Sequence, residues 1–151
     1  MALLHADRKM VEDMMPAQYE AALLCLRSYQ AAKSDNTDEL LCIACVFRNR
    51  VQRFGKTYTQ ILEEAELNRG WPDVRNPVLI DPQTGLLSQV EAIYRNELPD
   101  YTANHLHKNG AMWFGRVMDH QGRGDWFEET ILKNPTDHPL IGAFGVQNFY
   151  E

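Results

Sequence analysis

The chain has 151 residues, 44% hydrophobic and 24% charged, with a formal net charge of −6 at neutral pH. That length suits one domain, and no window of about 18 apolar residues exists to cross a membrane. The acidic balance argues against a nucleic-acid partner, which needs a basic footprint to release counterions, and works mildly against tight adhesion to an anionic wall.

Residues 1–15 are polar and Met-rich and read as an N-terminal arm or short lead-in helix. They lack the basic-then-apolar order of a Sec signal peptide, so the expectation is synthesis in the cytoplasm without one. The domain proper is expected over 16–151. Pro16 suits the first position of a helix, where its missing N–H would have no partner anyway. Tyr19, Ala22, Leu23, Leu26 and Gln30 then recur at three- and four-residue steps and line one helical face. The polar stretch from Lys33 to Asn36 ends that helix. Asn36 and Glu39 have capping-box spacing and open a second helix, with Leu40, Ile43, Ala44, Phe47 and Val51 on its apolar face and Gly55 closing it.

Thr59 is read as the cap of a short third helix carrying Ile61 and Leu62. The stretch from Leu67 to Gln83 is rich in Pro, Asn, Gly and Asp, holds Trp71, and reads as a functional loop or lid. Leu86 to Leu98 reads as a fourth helix, stopped by Pro99. Short aromatic and aliphatic runs follow: Ala111 to Gly115, Trp126-Phe127 and Ile141 to Tyr150. Separated by turn residues, they predict short strands, and helices followed by a small sheet give an α+β domain.

Cys25, Cys42 and Cys45 are odd in number and fall within helical patterns, so they read as free buried thiols. Cys42 and Cys45 form a C-x-x-C, but no second pair accompanies it and a zinc or redox role is not expected. His105, His107, His120 and Asp125 match no familiar ligand spacing, so no metal and no cofactor is expected. Arg123-Gly124-Asp125 is read as a coincidental triplet in a turn.

Gln30-Ala31, a polar loop, and the segment Cys42 to Val51 ending in Asn49-Arg50-Val51 resemble the SleB-type cell-wall hydrolases. That family has Glu-Ala at the end of a first helix and a second helix ending like V-A-x-V-I-x-N-R-V. Leu98 to Thr102 with Gly110 to Phe114 resembles its D-x-T-x-G-A-x-x-F segment, here carrying an insertion with His105 and His107. Trp126 matches a downstream tryptophan, and Ile141-Gly142 with Phe149-Tyr150 resembles the terminal I-G-x-H-x-F-Y. The resemblance spans residues 20–150 in family order.

It implies a helix-rich lysozyme-like domain with a small antiparallel sheet in the C-terminal third. The implied activity is cleavage of peptidoglycan glycan strands between N-acetylmuramic acid and N-acetylglucosamine, of lytic transglycosylase or muramidase type. One glutamate serves there as acid and base: a carboxylic acid of raised pKa protonates the leaving oxygen while positive charge develops at the anomeric carbon.

Gln30 stands at the family's glutamate position, and an amide cannot supply that proton. Three readings stay open: an engineered inactive variant, a natural pseudoenzyme, or a different carboxylate among Asp35, Glu39, Glu63 and Glu64. Of these, Glu39 reads as a capping residue and Glu63 and Glu64 as solvated. Asn49, Thr102 and Tyr150 are the remaining motif positions expected at the glycan. Trp71, Trp113 and Trp126 are candidates for stacking on sugar rings, with core packing the plainer role for Phe114. Arg50 suits a helix C-terminus for dipole reasons alone. The partners implied are peptidoglycan strands and, in the non-catalytic alternative of a phage virion or glycan-binding protein, other virion proteins. The protein would then act at the cell wall or in a virion.

Overall fold

The computed structural model describes residues 4–6, 16–34, 36–69, 78–80 and 86–151, with backbone alone at 4–6, 16–19, 65–69, 78–80 and 86–87. Among the described residues five α-helices run over Pro16–Ala31 (α1), Thr37–Phe54 (α2), Tyr58–Arg69 (α3), Leu86–Tyr94 (α4) and Val117–His120 (α5), with a π-helical turn at Glu128–Leu132. Strands are Leu4–Ala6 (β1), Val78–Ile80 (β2), Trp113–Gly115 (β3), Leu140–Phe144 (β4) and Gln147–Tyr150 (β5). The class is α+β, with the expected small antiparallel sheet in the last third.

α1 begins at Pro16 and α2 is bounded as its residues predict. The Asn36 side chain accepts from the backbone N–H groups of Asp38 and Glu39, and Gly55 takes the left-handed conformation at φ 63°. The reciprocal half of the capping box is absent, because the Glu39 carboxylate turns inward instead. Every residue of α2 from Glu39 to Asn49 is buried. The apolar run Leu40 to Phe47 therefore covers the helix all round rather than on one face, which makes α2 the central helix. α1 packs against α2, α3 and α4, while β3 and β4 pack on α2. Glu20 holds three helices together, since its carboxylate accepts from Thr59 of α3 and from the Tyr94 hydroxyl of α4 at 3.0 Å.

Several boundaries differ from the sequence expectation. The cap of α3 is Thr57, whose hydroxyl accepts from Gln60 N while Gln60 Oε1 accepts from Thr57 N. Thr59 is diverted to Glu20. α4 ends four residues short of Leu98, at Tyr94. Asn96 adopts φ 60° and the N–H of Glu97 reaches back to Ala92 O, a Schellman-type stop that precedes Pro99. Trp126 and Phe127 are helical rather than extended and lead into the π-helical turn. β1 and β2 pair antiparallel, so the expected arm and the expected loop each contribute a strand. The first three residues of that expected loop, 67–69, instead continue α3; 70–77, with Trp71, and 81–83 lie outside the described residues, as does Asp35.

The C-terminal sheet has the order β3-β5-β4, with β5 central. Trp113 faces Tyr150 and Phe114 faces Phe149 across one ladder. Leu140 faces Tyr150 and Phe144 faces Gln147 across the other, with a register irregularity between Leu140 and Gly142. Phe114 and Phe149 stack at 5.8 Å, and Phe47 of α2 meets Phe114 edge-on at 6.0 Å. At the β4–β5 turn, Gly145 has φ 63°, and a side chain there would come within 2.7 Å of Glu39 Cβ. The hairpin tip thus lies directly on the first turn of α2. Among the described residues no helix is long and apolar enough to cross a membrane.

Candidate functional site

Gln30 lies in the last turn of α1 and is half-buried. Its Oε1 accepts from Nη1 of the fully buried Arg27 at 2.6 Å, one turn earlier. The amide therefore points at a guanidinium, not into purely apolar surroundings. Beside this end of α1 sits Glu39, also fully buried. Its carboxylate accepts from Lys33 N at 3.2 Å, from the Ser34 hydroxyl, and from Gln147 Nε2 at 2.7 Å. The same Gln147 nitrogen donates to Ala31 O at 2.9 Å. Glu39 thus joins the α1–α2 loop to the end of β5. Its oxygens are occupied by protein donors, which explains its burial as a paired carboxylate rather than an available acid. Of the other carboxylates, Glu63 and Glu64 are exposed on α3, and Glu64 pairs with Lys56 at 2.6 Å.

The motif residues Asn49, Asp100, Thr102, Gly110 and Ala111 come together at the opposite end of α2, about 15 Å from Glu39 at the helical rise. Asn49 Nδ2 donates to Asp100 Oδ2 at 2.7 Å and to Ala111 O at 2.9 Å. Asp100 Oδ1 accepts from the Thr102 N–H and hydroxyl, and that hydroxyl accepts in turn from Ala111 N at 2.8 Å. Gly110, at φ 67°, closes the knot. Asn49 and Thr102 are both buried, and these bonds occupy the Asn49 amide nitrogen and the Thr102 hydroxyl within the protein. They hold the loop of 98–112 onto α2, at the end of that helix away from Glu39.

Trp113, Trp126 and Phe54 form an aromatic face. Trp113 lies 5.2 Å from Trp126 and 6.5 Å from Phe54, ring centre to ring centre. Trp126 is 56% exposed and Phe54 47% exposed, while Trp113 is half-buried between them. Arg50 stacks on Trp113 with its guanidinium carbon 4.9 Å from the ring centre, and its Nε donates to Met112 O at 2.8 Å. Desolvated on that ring, the cation contributes roughly 1–2 kcal/mol and fixes the tilt of Trp113. Tyr150 is buried, packed edge-on to Phe127 at 5.8 Å, and supports this face from beneath. Of the predicted sugar-contacting residues, the structure brings Trp113 and Trp126 together at the surface. Phe54 escaped the sequence reading because its position at the end of α2 carries no motif.

A polar cleft of about 620 Å³ adjoins the Asn49 knot. Arg48, Arg53, Lys108, Asn49, Asp100 and Met112 are among its lining residues, and neither Gln30 nor Trp113 lines it. On the far edge of the sheet, His120 Nδ1 lies 2.8 Å from Asp125 Oδ2. The Glu128 carboxylate accepts from Gly122 N and from Gly124 N at 2.8 Å, which orders the Arg123-Gly124-Asp125 turn. His107 pairs with the C-terminal Glu151 side chain at 2.8 Å. Among the described residues no group of three or more His, Cys, Asp or Glu side chains could hold a metal ion. Compared with protein families, with curated proteins and with solved structures, the chain matches none.

Proposed function

We propose that the chain binds peptidoglycan glycan strands on its Phe54–Trp113–Trp126 face and, with an amide at position 30, does not cleave them. The observation that carries this is the aromatic face itself. Two large rings, about half exposed among the described residues, flank a third that is clamped on Arg50, which leaves their outer sides open to a ligand. Pyranose rings present flat C–H faces that suit such surfaces, and each stacking contact contributes roughly 1 kcal/mol beyond the area it buries.

The absence of cleavage rests on Arg27. A general acid needs a raised pKa. A carboxylate at position 30 would sit where Gln30 Oε1 now lies, 2.6 Å from the Arg27 guanidinium, and that neighbour favours the ionised form. The setting that fits such a chain is a bacterial or phage protein acting at the wall, including a virion component.

The test is co-sedimentation with purified peptidoglycan, with released muropeptides analysed in parallel. The unchanged chain and Gln30→Glu are expected to sediment with the wall and release nothing. Trp126→Ala is expected to bind about tenfold more weakly, the equivalent of ~1.4 kcal/mol. Fragment release by the unchanged chain or by Gln30→Glu would overturn the non-cleaving half. Undiminished binding by Trp126→Ala would overturn the aromatic half.

A further inference from the structure

We propose that the polar cleft at the C-terminal end of α2 is a binding site for an oxyanion, a carboxylate or phosphate carried on a small polar ligand. This inference is independent of the glycan reading. The cleft, at about 620 Å³, falls in the size range of small-molecule sites, and Leu98 and Met112 are the apolar members of its lining. It gathers Arg48, Arg53 and Lys108 against the single carboxylate of Asp100. That local excess of positive charge stands on a chain whose net charge is −6.

Arg48 makes the site a built one. It is 5% exposed, and its Nη1 donates to Ile93 O at 3.1 Å and Leu98 O at 2.8 Å. Its Nε and Nη2, the two donors of a planar fork, make no hydrogen bond among the described residues, and Arg48 is part of the cleft lining. A buried guanidinium held by two carbonyls and presenting unused donors is suited to bidentate recognition of a carboxylate or phosphate. Asp100 makes no ion pair with it among the described residues; its oxygens accept instead from Asn49 and Thr102.

Arg53 and Lys108 are exposed, lie on the cleft wall, and have no ion-pair partner among the described residues. Gln52, whose Nε2 donates to Asn96 Oδ1 at 3.1 Å, places two amide groups on the same wall for the polar body of the ligand.

The shared chemistry has two sources, a peptide carboxylate and a phosphate, and two probes separate them. Titration of the full chain with inorganic phosphate and with the dipeptide D-alanyl-D-alanine, followed by amide chemical shifts, is expected to show saturable binding of at least one, with shifts clustered at 48–53 and 96–112. The tighter probe identifies the source. Arg53→Gln combined with Lys108→Gln changes only exposed side chains and is expected to raise Kd roughly tenfold, the sum of two exposed charge contacts. Trp126→Ala, which removes the aromatic face, should leave this titration unchanged. No saturable binding of either probe, or equal affinity in the double variant, would overturn the proposal. Shifts that cluster elsewhere on the molecule would do the same.

Discussion

Gly110→Ala is expected to be far more damaging than a glycine-to-alanine change elsewhere in the same chain. Gly110 is buried at φ 67°, and an L-residue held in that region costs about 1 kcal/mol. The added methyl would also overlap the Asp100 carboxylate and come within 2.8 Å of Asn49 Nδ2. Neither neighbour can step aside freely. Asp100 is held by Asn49 at 2.7 Å and by the Thr102 N–H and hydroxyl at 2.9 and 2.7 Å. Displacing it breaks at least two partly buried bonds to its carboxylate oxygens at about 1–1.5 kcal/mol each. The total is roughly 3–4 kcal/mol, a large share of the 5–15 kcal/mol that typically holds a domain folded.

Gly122→Ala is the matched control. It has φ 76° with no atom within 4 Å of the added methyl, so about 1 kcal/mol is expected. Urea unfolding followed by tryptophan fluorescence measures both. Trimming Asp100→Ala should lower the further cost of Gly110→Ala toward the control value, the Asn49 contact remaining, a coupling that a double-mutant cycle reads directly. If Gly110→Ala and Gly122→Ala lose equal stability, the knot does not bear on Gly110 and the reasoning fails.

Two further outcomes follow from burial and hydrogen bonding. Burial pushes the Cys25 thiol up to about 12 and the Cys45 thiol up to about 11, with Cys42 also raised. All three are free, so a thiol reagent at pH 8 should label none in the native protein and all three in urea; rapid native labelling would contradict the packed core of α1 and α2. In the turn after α5, hydrogen bonds from Gly122 and Gly124 lower the Glu128 carboxyl, and bonds from Glu128 N and His120 lower Asp125. A carboxyl depressed on folding stabilises above its unfolded pKa and loses that contribution as pH falls through its folded value. The amides of Gly122 and Gly124 should therefore lose hydrogen-exchange protection below about pH 4, and Glu128→Gln should flatten the dependence. Protection independent of pH in the unchanged chain would show that the carboxylate does not hold the turn.

What was legible in the residues divides by range. α1 and α2 could be placed because Pro16, Asn36 and Gly55 act on the few residues beside them. The stop of α4 was missed because Asn96 ends it by adopting a left-handed conformation, which Asn does only in some contexts. Trp126-Phe127 reads as a strand by composition. Its helical state comes with partners distant in the chain, Trp113 and Tyr150. The all-round burial of α2 was hidden by Glu39, Arg48 and Asn49, polar residues that a periodic pattern assigns to solvent. Their partners are Gln147, Leu98 and Asp100, in segments that periodicity along one helix does not see.

The same separation bears on what the motif matches mean. Asn49, the Asp100–Thr102 turn and Gly110-Ala111 form one hydrogen-bonded knot that holds a loop to the central helix. In this structure those residues serve the scaffold. Position 30 lies at the other end of α2, where its polar partner is Arg27 and no member of the knot reaches it. A change of side chain at position 30 therefore leaves the bonds of the knot untouched. The knot thus bears on architecture alone, and the proposed absence of cleavage turns on the Arg27–Gln30 pair.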